Sequence, residues 1–99
     1  SGTNMDIQKC GKNMIISDCQ FQSYSQLIFE IKSKFKLEKN SELCIFINNN
    51  IVSGLIKEID EKNNKYLLSL RKNIIIIPRI INIAFAKFDN KIFIINIIL

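Results

Sequence analysis

The residue types that usually carry out catalysis are poorly represented in this chain. It contains no His, so the usual general base and the commonest metal ligand are both missing. The serines therefore lack an activating base, the carboxylates are scattered, and no Gly-rich phosphate loop is present. The sequence favours a binding protein over an enzyme, and it calls for no cofactor.

The cysteines do not form a recognisable site either. Cys10, Cys19 and Cys44 are odd in number and lack CxxC spacing. A disulfide framework or a zinc site is therefore not expected. We interpret the three thiols as reduced.

Composition indicates one small globular domain. The chain has 99 residues, of which 47% are hydrophobic and 23% charged. It contains 22 Ile, 12 Asn and 12 Lys residues, as is typical of AT-rich genomes. Part of the net charge of +5 therefore reflects composition, although a positive charge also suits a polyanionic partner. No 18-residue apolar run is present, so we expect an intracellular protein, cytoplasmic or nuclear, without a membrane span.

For the N-terminal part of the chain, the sequence predicts an extension followed by a helix. Residues 1–4 are expected to be a cloning remnant, and residues 5–22 an N-terminal extension. One helical face would carry five apolar residues at suitable spacing: Tyr24, Leu27, Ile28, Ile31 and Phe35. Ser23 and Gln26 supply a capping box at its start.

After this helix the apolar period changes to that of strands. The predicted strands are Leu43–Ile47, Ile51–Ile59, Lys65–Arg71, Ile74–Ile77, Ile80–Lys87 and Lys91–Leu99. Between them lie polar turns at 48–50, 60–64, 72–73 and 89–90, and a break at Pro78-Arg79. A glycine inside a strand, as at Gly54, indicates a bulge, a sharp bend or a close approach of another backbone.

The predicted fold is therefore mainly β (α+β). We expect an N-terminal helix followed by a meander of short, strongly bent antiparallel strands, which forms a small barrel or curled sheet. The last strand, Lys91–Leu99, is apolar on both faces, so it either lies deep in the core or pairs with another chain. We favour pairing, in a homo- or hetero-oligomer.

Residues 43–67 resemble the first signature of the Sm/LSm family. The matching positions are Gly54, Ile56, Ile59, Asp60, Asn64 and Leu67. The second signature would fall at residues 78–83, where Arg79 and Ile83 fit it. In an Sm-like barrel, Gly54 would allow the strand to bend, and Asp60 would hold the following turn through bonds to backbone amides.

The resemblance implies a five-stranded Sm-like barrel at residues 23–87, followed by an extra C-terminal strand at residues 88–99. It also implies that Ile74–Ile77 and Ile80–Lys87 are edges through which subunits pair in homo- or hetero-oligomers. The function implied is that of a subunit of an oligomeric ribonucleoprotein that binds single-stranded RNA. Carried over from the family, the RNA-binding residues would be Lys62, Asn64 and Arg79. An Asn amide can pair with a base edge, an Arg plane can stack on a base, and a Lys can meet phosphate. The alternative is that Asp60 and Asn64 only stabilise the turn. The chain would then be an assembly module that does not contact RNA.

A ubiquitin-like β-grasp domain, similar to doublecortin domains, is the alternative. It requires a strand at residues 14–17 ahead of the predicted helix. The function implied is binding of cytoskeletal or other protein partners, without nucleic acid.

Overall fold

The described part of the chain is made entirely of strands and their connections. The computed structural model describes residues 22–77, 81 and 83–99. Its strands are β1 (Gln22–Ile31), β2 (Glu42–Ile47), β3 (Asn50–Asp60), β4 (Lys65–Ile76), β5 (Ala84–Phe88) and β6 (Lys91–Ile98). These strands form a closed antiparallel barrel, so the prediction of a mainly β, antiparallel barrel is confirmed.

The helix predicted from Tyr24 onward was wrong, because these residues form β1. In β1, Leu27, Phe29 and Ile31 are buried while Ile28 is exposed, which is the period-2 alternation of a strand. The helical spacing counted Ile28 as a core residue and passed over Phe29. The predicted strand at 14–17 and residues 5–21 of the predicted N-terminal extension lie outside the described residues, while Gln22 is the first residue of β1.

The strand order is that of a Greek key. Neighbours follow the order β1-β4-β3-β2-β5-β6, and β6 pairs with β1 to close the barrel. β2, β3 and β4 form consecutive hairpins, with β5 beside β2 and β1 beside β4. Two expectations are therefore corrected. The barrel is not a simple meander, and its last strand closes a six-stranded barrel instead of following a five-stranded one.

Two hairpin turns form where the sequence predicted them. Asn48 and Asn49 have φ of 47° and 63° between the paired residues Ile47 and Asn50. Asp89 and Asn90 have φ of 51° and 60° in the turn from β5 to β6. Two consecutive positive φ values are those of a type I′ turn, whose twist matches that of the flanking strands. Asn and Asp tolerate this backbone conformation better than other side chains.

β4 joins two strands that the sequence separated at residues 72–73. No turn forms there; instead β4 bulges against β1. Tyr24 pairs with Ile74 while Gln26 pairs with Ser69, so four β4 residues (70–73) lie opposite one β1 residue. Such an irregularity bends the strand without ending it. Pro78, Arg79 and Ile80 lie outside the described residues.

Gly54 lies in β3 at a point where the backbone of β4 approaches closely. A Cβ at this position would overlap the backbone carbonyl oxygen of Ser69 and lie 2.9 Å from its carbonyl carbon. Of the roles that the sequence suggested for this glycine, close backbone approach is the one that the structure displays.

Inward-facing side chains fill the barrel. The largest fully buried ones come from β1, β2, β3 and β4: Tyr66, Phe29, Leu27, Leu43, Ile45, Ile47, Ile56, Leu68 and Ile76. Ala84 and Ala86 are the buried residues of β5, where small side chains leave room for larger neighbours. Alternate residues of every strand therefore point outward, and these decide what the barrel can bind.

Candidate functional site

The turn from β3 to β4 holds itself through Asp60. The Asp60 carboxylate accepts hydrogen bonds from the backbone N–H of Asn63 at 3.3 Å and from its Nδ2 at 2.9 Å. The side-chain bond from Asn63, followed by the backbone bond, lowers the pKa of Asp60 below its ordinary value. The carboxylate is therefore kept ionised, and its hydrogen bonds stabilise the turn to which it belongs.

Asn64 ties this turn to the connection between β1 and β2. Its φ is 52°, a left-handed conformation that Asn tolerates. Its Nδ2 donates to the backbone carbonyls of Ile31 at 3.1 Å and Ser33 at 2.9 Å, with Phe35 at 3.5 Å. The side chain thus supplies hydrogen bonds to the end of β1 and to the first residues of the connection that follows it.

The carbonyl oxygen of the Asn64 amide is equally engaged. It accepts from the Tyr66 hydroxyl at 2.9 Å and from Lys36 Nζ at 3.2 Å. An amide has two N–H donors and two acceptor lone pairs. All four are used within the protein, so Asn64 would have to give up protein contacts to read a base.

Tyr66 is the buried member of this network, and sequence reasoning missed it. Its hydroxyl accepts from the Leu37 backbone N–H at 3.2 Å, and its ring stacks on Phe29 with centroids 5.4 Å apart. A buried Tyr needs a partner for its hydroxyl. In the sequence, the signal for such a partner is the strand alternation that places Tyr66 on the inner face of β4.

The three residues expected to bind RNA are not all described. Lys62 is exposed in the turn, beside Asn64. Arg79 lies outside the described residues, and Ile77, two residues before it, follows the opposite end of β4. The described residues therefore place Lys62 and Asn64 together and do not place Arg79.

The outer surface carries a second candidate site, an apolar row across four strands. Ile51 of β3 pairs with Phe46 of β2, Phe46 pairs with Phe85 of β5, and Phe85 pairs with Ile94 of β6. We call these four residues the apolar row. Ile51 is 66% exposed, Ile94 55% and Phe85 37%. Phe46, between Ile51 and Phe85, is half-buried. An apolar surface that is exposed over most of its length often marks an interaction site.

No protein-family model and no curated protein matches this chain. Its function therefore has to be inferred from its own surface.

The surroundings of the apolar row are apolar and weakly basic. Ile92 and Ile83, both mostly exposed, lie next to it on β6 and just before β5. Lys87 follows Phe85 by two residues on the same face of β5. The Lys32 backbone N–H donates to the Ile94 carbonyl at 3.3 Å, which places Lys32 at the end of the row. The row is thus bordered by cations at two points.

Neither candidate site has the composition of a metal centre. Within residues 22–77, 81 and 83–99, no group of three or more Cys, Asp or Glu side chains is placed to hold an ion. The same residues contain no helix long and apolar enough to cross a membrane.

The strands proposed as oligomer edges are largely paired within the barrel. β5 pairs with β2 and β6, and β6 pairs with β5 and β1. Ile74–Ile76 pairs with β1 on one side.

Proposed function

We propose that this barrel is a non-enzymatic assembly module that binds a second copy of itself through the apolar row. The carrying observation is the register that aligns Ile51, Phe46, Phe85 and Ile94 across the outer face. The resemblance of residues 43–67 to an Sm signature points towards the same kind of role.

The order of side chains along the row makes it complementary to itself. The row reads Ile, Phe, Phe, Ile, so its two halves are alike in size. A two-fold axis parallel to the strands, between β2 and β5, places Ile51 against the second copy's Ile94. The same axis places Phe46 against the second copy's Phe85. A symmetric dimer needs this reciprocity, in which residue i meets j and j meets i.

The same packing keeps the cations apart. Lys87 pairs with Cys44 across β5 and β2, two residues from the row along each strand and on the same face. The two-fold axis then sets Lys87 against the second copy's Cys44, and not against the second copy's Lys87. Lys32 is partly neutralised by Glu30, whose carboxylate lies 3.8 Å from its Nζ. Charge repulsion between two basic chains is thereby limited.

Light scattering after size exclusion tests the self-association. We expect twice the monomer mass of 11.5 kDa at micromolar concentration. Ile94→Asp should give the monomer mass, because it buries a charge against the second copy's Ile51. Ile28→Asp is the matched control, since Ile28 is 44% exposed on β1 and lies off the row. A monomeric wild-type chain, or dissociation by both variants alike, would count against the proposal.

Single-stranded RNA binding is a second candidate, favoured by one observation. Phe46 and Phe85 are directly paired on the outer face, and Lys87 lies beside them. Bases stack on exposed aromatic rings while nearby lysines meet the phosphates. RNA could therefore use the apolar row as well as the Lys62–Asn64 turn.

Fluorescence polarisation with a labelled 12-nucleotide oligo-U separates these RNA sites. Phe85→Ala should weaken binding by about tenfold if bases stack on the row, given roughly 1–3 kcal/mol per stacked base. Lys62→Ala, Asn64→Ala and Arg79→Ala should weaken binding only if RNA uses the turn and the second signature. The absence of oligo-U binding at low salt would remove the RNA candidate and leave the assembly module unaffected.

A further inference from the structure

β3 and β4 separate along part of their length. Their ladder ends at the pair Gly54 and Leu70. Beyond it, residues 50–53 pair only with β2, and Ile74–Ile76 pair only with β1, among the described residues. The edges that face each other across this gap therefore carry backbone N–H and C=O groups outside any described ladder. We call the gap between residues 50–53 and 71–76 the seam.

The bulge in β4 accounts for the seam. Four β4 residues, 70–73, lie opposite one β1 residue, so β4 bends away from β3 at this point. A cleft of about 550 Å³ results, lined by residues from both strands. At its far end, Asn48 Nδ2 donates to the Ile77 carbonyl at 3.4 Å. One side-chain hydrogen bond thus spans the gap where a strand ladder would otherwise run.

The residues that line the seam indicate which kind of ligand it can bind. Unpaired strand edges are satisfied by another extended backbone, and side chains of alternate residues then enter neighbouring pockets. Ile51, Val52, Ile74, Ile75 and Ile77 supply apolar lining, and Asn48, Asn49, Asn50 and Asn73 supply polar lining. Lys72 is the charged residue of the lining, which contains no carboxylate. Arg71, next to it, is paired with Glu42 at 2.7 Å, so Lys72 supplies the available positive charge.

We propose that the seam receives an extended segment of a partner protein, apolar at alternate positions and acidic near Lys72. The segment pairs with β3 or β4 as an added strand. This inference goes beyond self-assembly through the apolar row, because Lys72 and Ile75 belong to the seam alone. Ile51 touches both surfaces and is therefore not used to test either.

A displayed library of random 12-residue peptides provides the probe. Selection on the full chain should enrich peptides with apolar residues at alternate positions and a net negative charge. Their affinity, measured by fluorescence polarisation, should fall about tenfold in Ile75→Ser and about fivefold in Lys72→Glu. The matched controls are Ile28→Ser and Lys57→Glu, two exposed residues outside the seam, which should leave the affinity unchanged. Ile94→Asp should also bind the peptides normally, which separates this result from the fate of the dimer.

Hydrogen exchange followed by NMR gives an independent check. In the free protein, amides of residues 50–53 and 74–76 that point into the seam should exchange quickly, and the selected peptide should slow them. Slow exchange of all these amides in the free protein would mean that the edges are already paired, and would overturn the proposal. So would a failed selection, enrichment of peptides without alternation, or affinities equal in Ile75→Ser and Ile28→Ser.

Discussion

The identity of Gly54 is fixed by the close approach of a neighbouring backbone. It lies where β3 and β4 are still paired, just before they diverge into the seam. Gly54→Ala would drive a methyl group into the Ser69 carbonyl, and we expect the free energy of unfolding to fall by roughly 2 kcal/mol or more. Urea unfolding measures the loss. Ser53→Ala, one residue away, should change stability little, and equal effects of the two substitutions would contradict the close-approach argument.

Asp60 gives the turn a pH dependence of predictable sign. Because hydrogen bonds from Asn63 lower the pKa of Asp60 in the folded chain, its ionised form stabilises the fold above the unfolded pKa. That contribution is lost as the pH falls through the lowered folded value. Asn63→Ala should raise the pKa of Asp60 towards its ordinary value of 3.8, as followed by NMR titration of the carboxyl carbon.

The stability difference between Asn63→Ala and wild type should accordingly be largest near neutral pH and shrink in acid. Lys62→Ala, in the same turn, serves as the control because its side chain makes no bond to Asp60 among the described contacts. A difference that stays constant down to acid pH would mean that Asn63 acts through something other than Asp60.

Among the secondary-structure elements, β1 is a stretch whose sequence fits both a helix and a strand. In a strand Phe29 is buried and Ile28 exposed, whereas the helical spacing places Ile28 in the core. Phe29→Ala should therefore cost roughly 3–5 kcal/mol of stability, and Ile28→Ala less than about 1 kcal/mol. Chemical denaturation of both variants gives the comparison. A larger cost for Ile28→Ala would support the helix.

Features that depend on interactions between neighbouring residues could be predicted from the sequence, and features that depend on residues distant in sequence could not. The hairpin turns at Asn48-Asn49 and Asp89-Asn90 depend on a few adjacent residues, and they were predicted. The type of β1 was not, because its apolar residues satisfy both helical and strand periods and only pairing with β4 and β6 decides between them. The role of Asn64 was also hidden, since its partners Ile31 and Ser33 are more than thirty residues away.

For the whole molecule, closure of the barrel depends on the two ends of the described chain. β1 pairs with β6 through Ile28 and Ile98, Phe29 and Ile97, and Ile31 and Ile95. β6 also covers the other edge of β5. The pairing of β1 with β6, which closes the barrel, joins the residues that are furthest apart in the described chain, and contacts so distant in sequence form slowly during folding.

Closure of the barrel by β6 predicts that removal of this strand unfolds the protein, whereas the sequence predicted that the strand lies outside the barrel. If residues 88–99 were an extension beside a complete barrel, a chain ending at Asn90 would fold. Because β6 contributes the buried residues Phe93 and Ile95 and pairs with both β5 and β1, we expect that chain to lose its cooperative urea transition. Its amide NMR spectrum should collapse to the narrow dispersion of an unfolded chain. Removal of Leu99 alone, which is exposed and follows β6, should leave the transition intact, and a folded chain ending at Asn90 would show that five strands suffice.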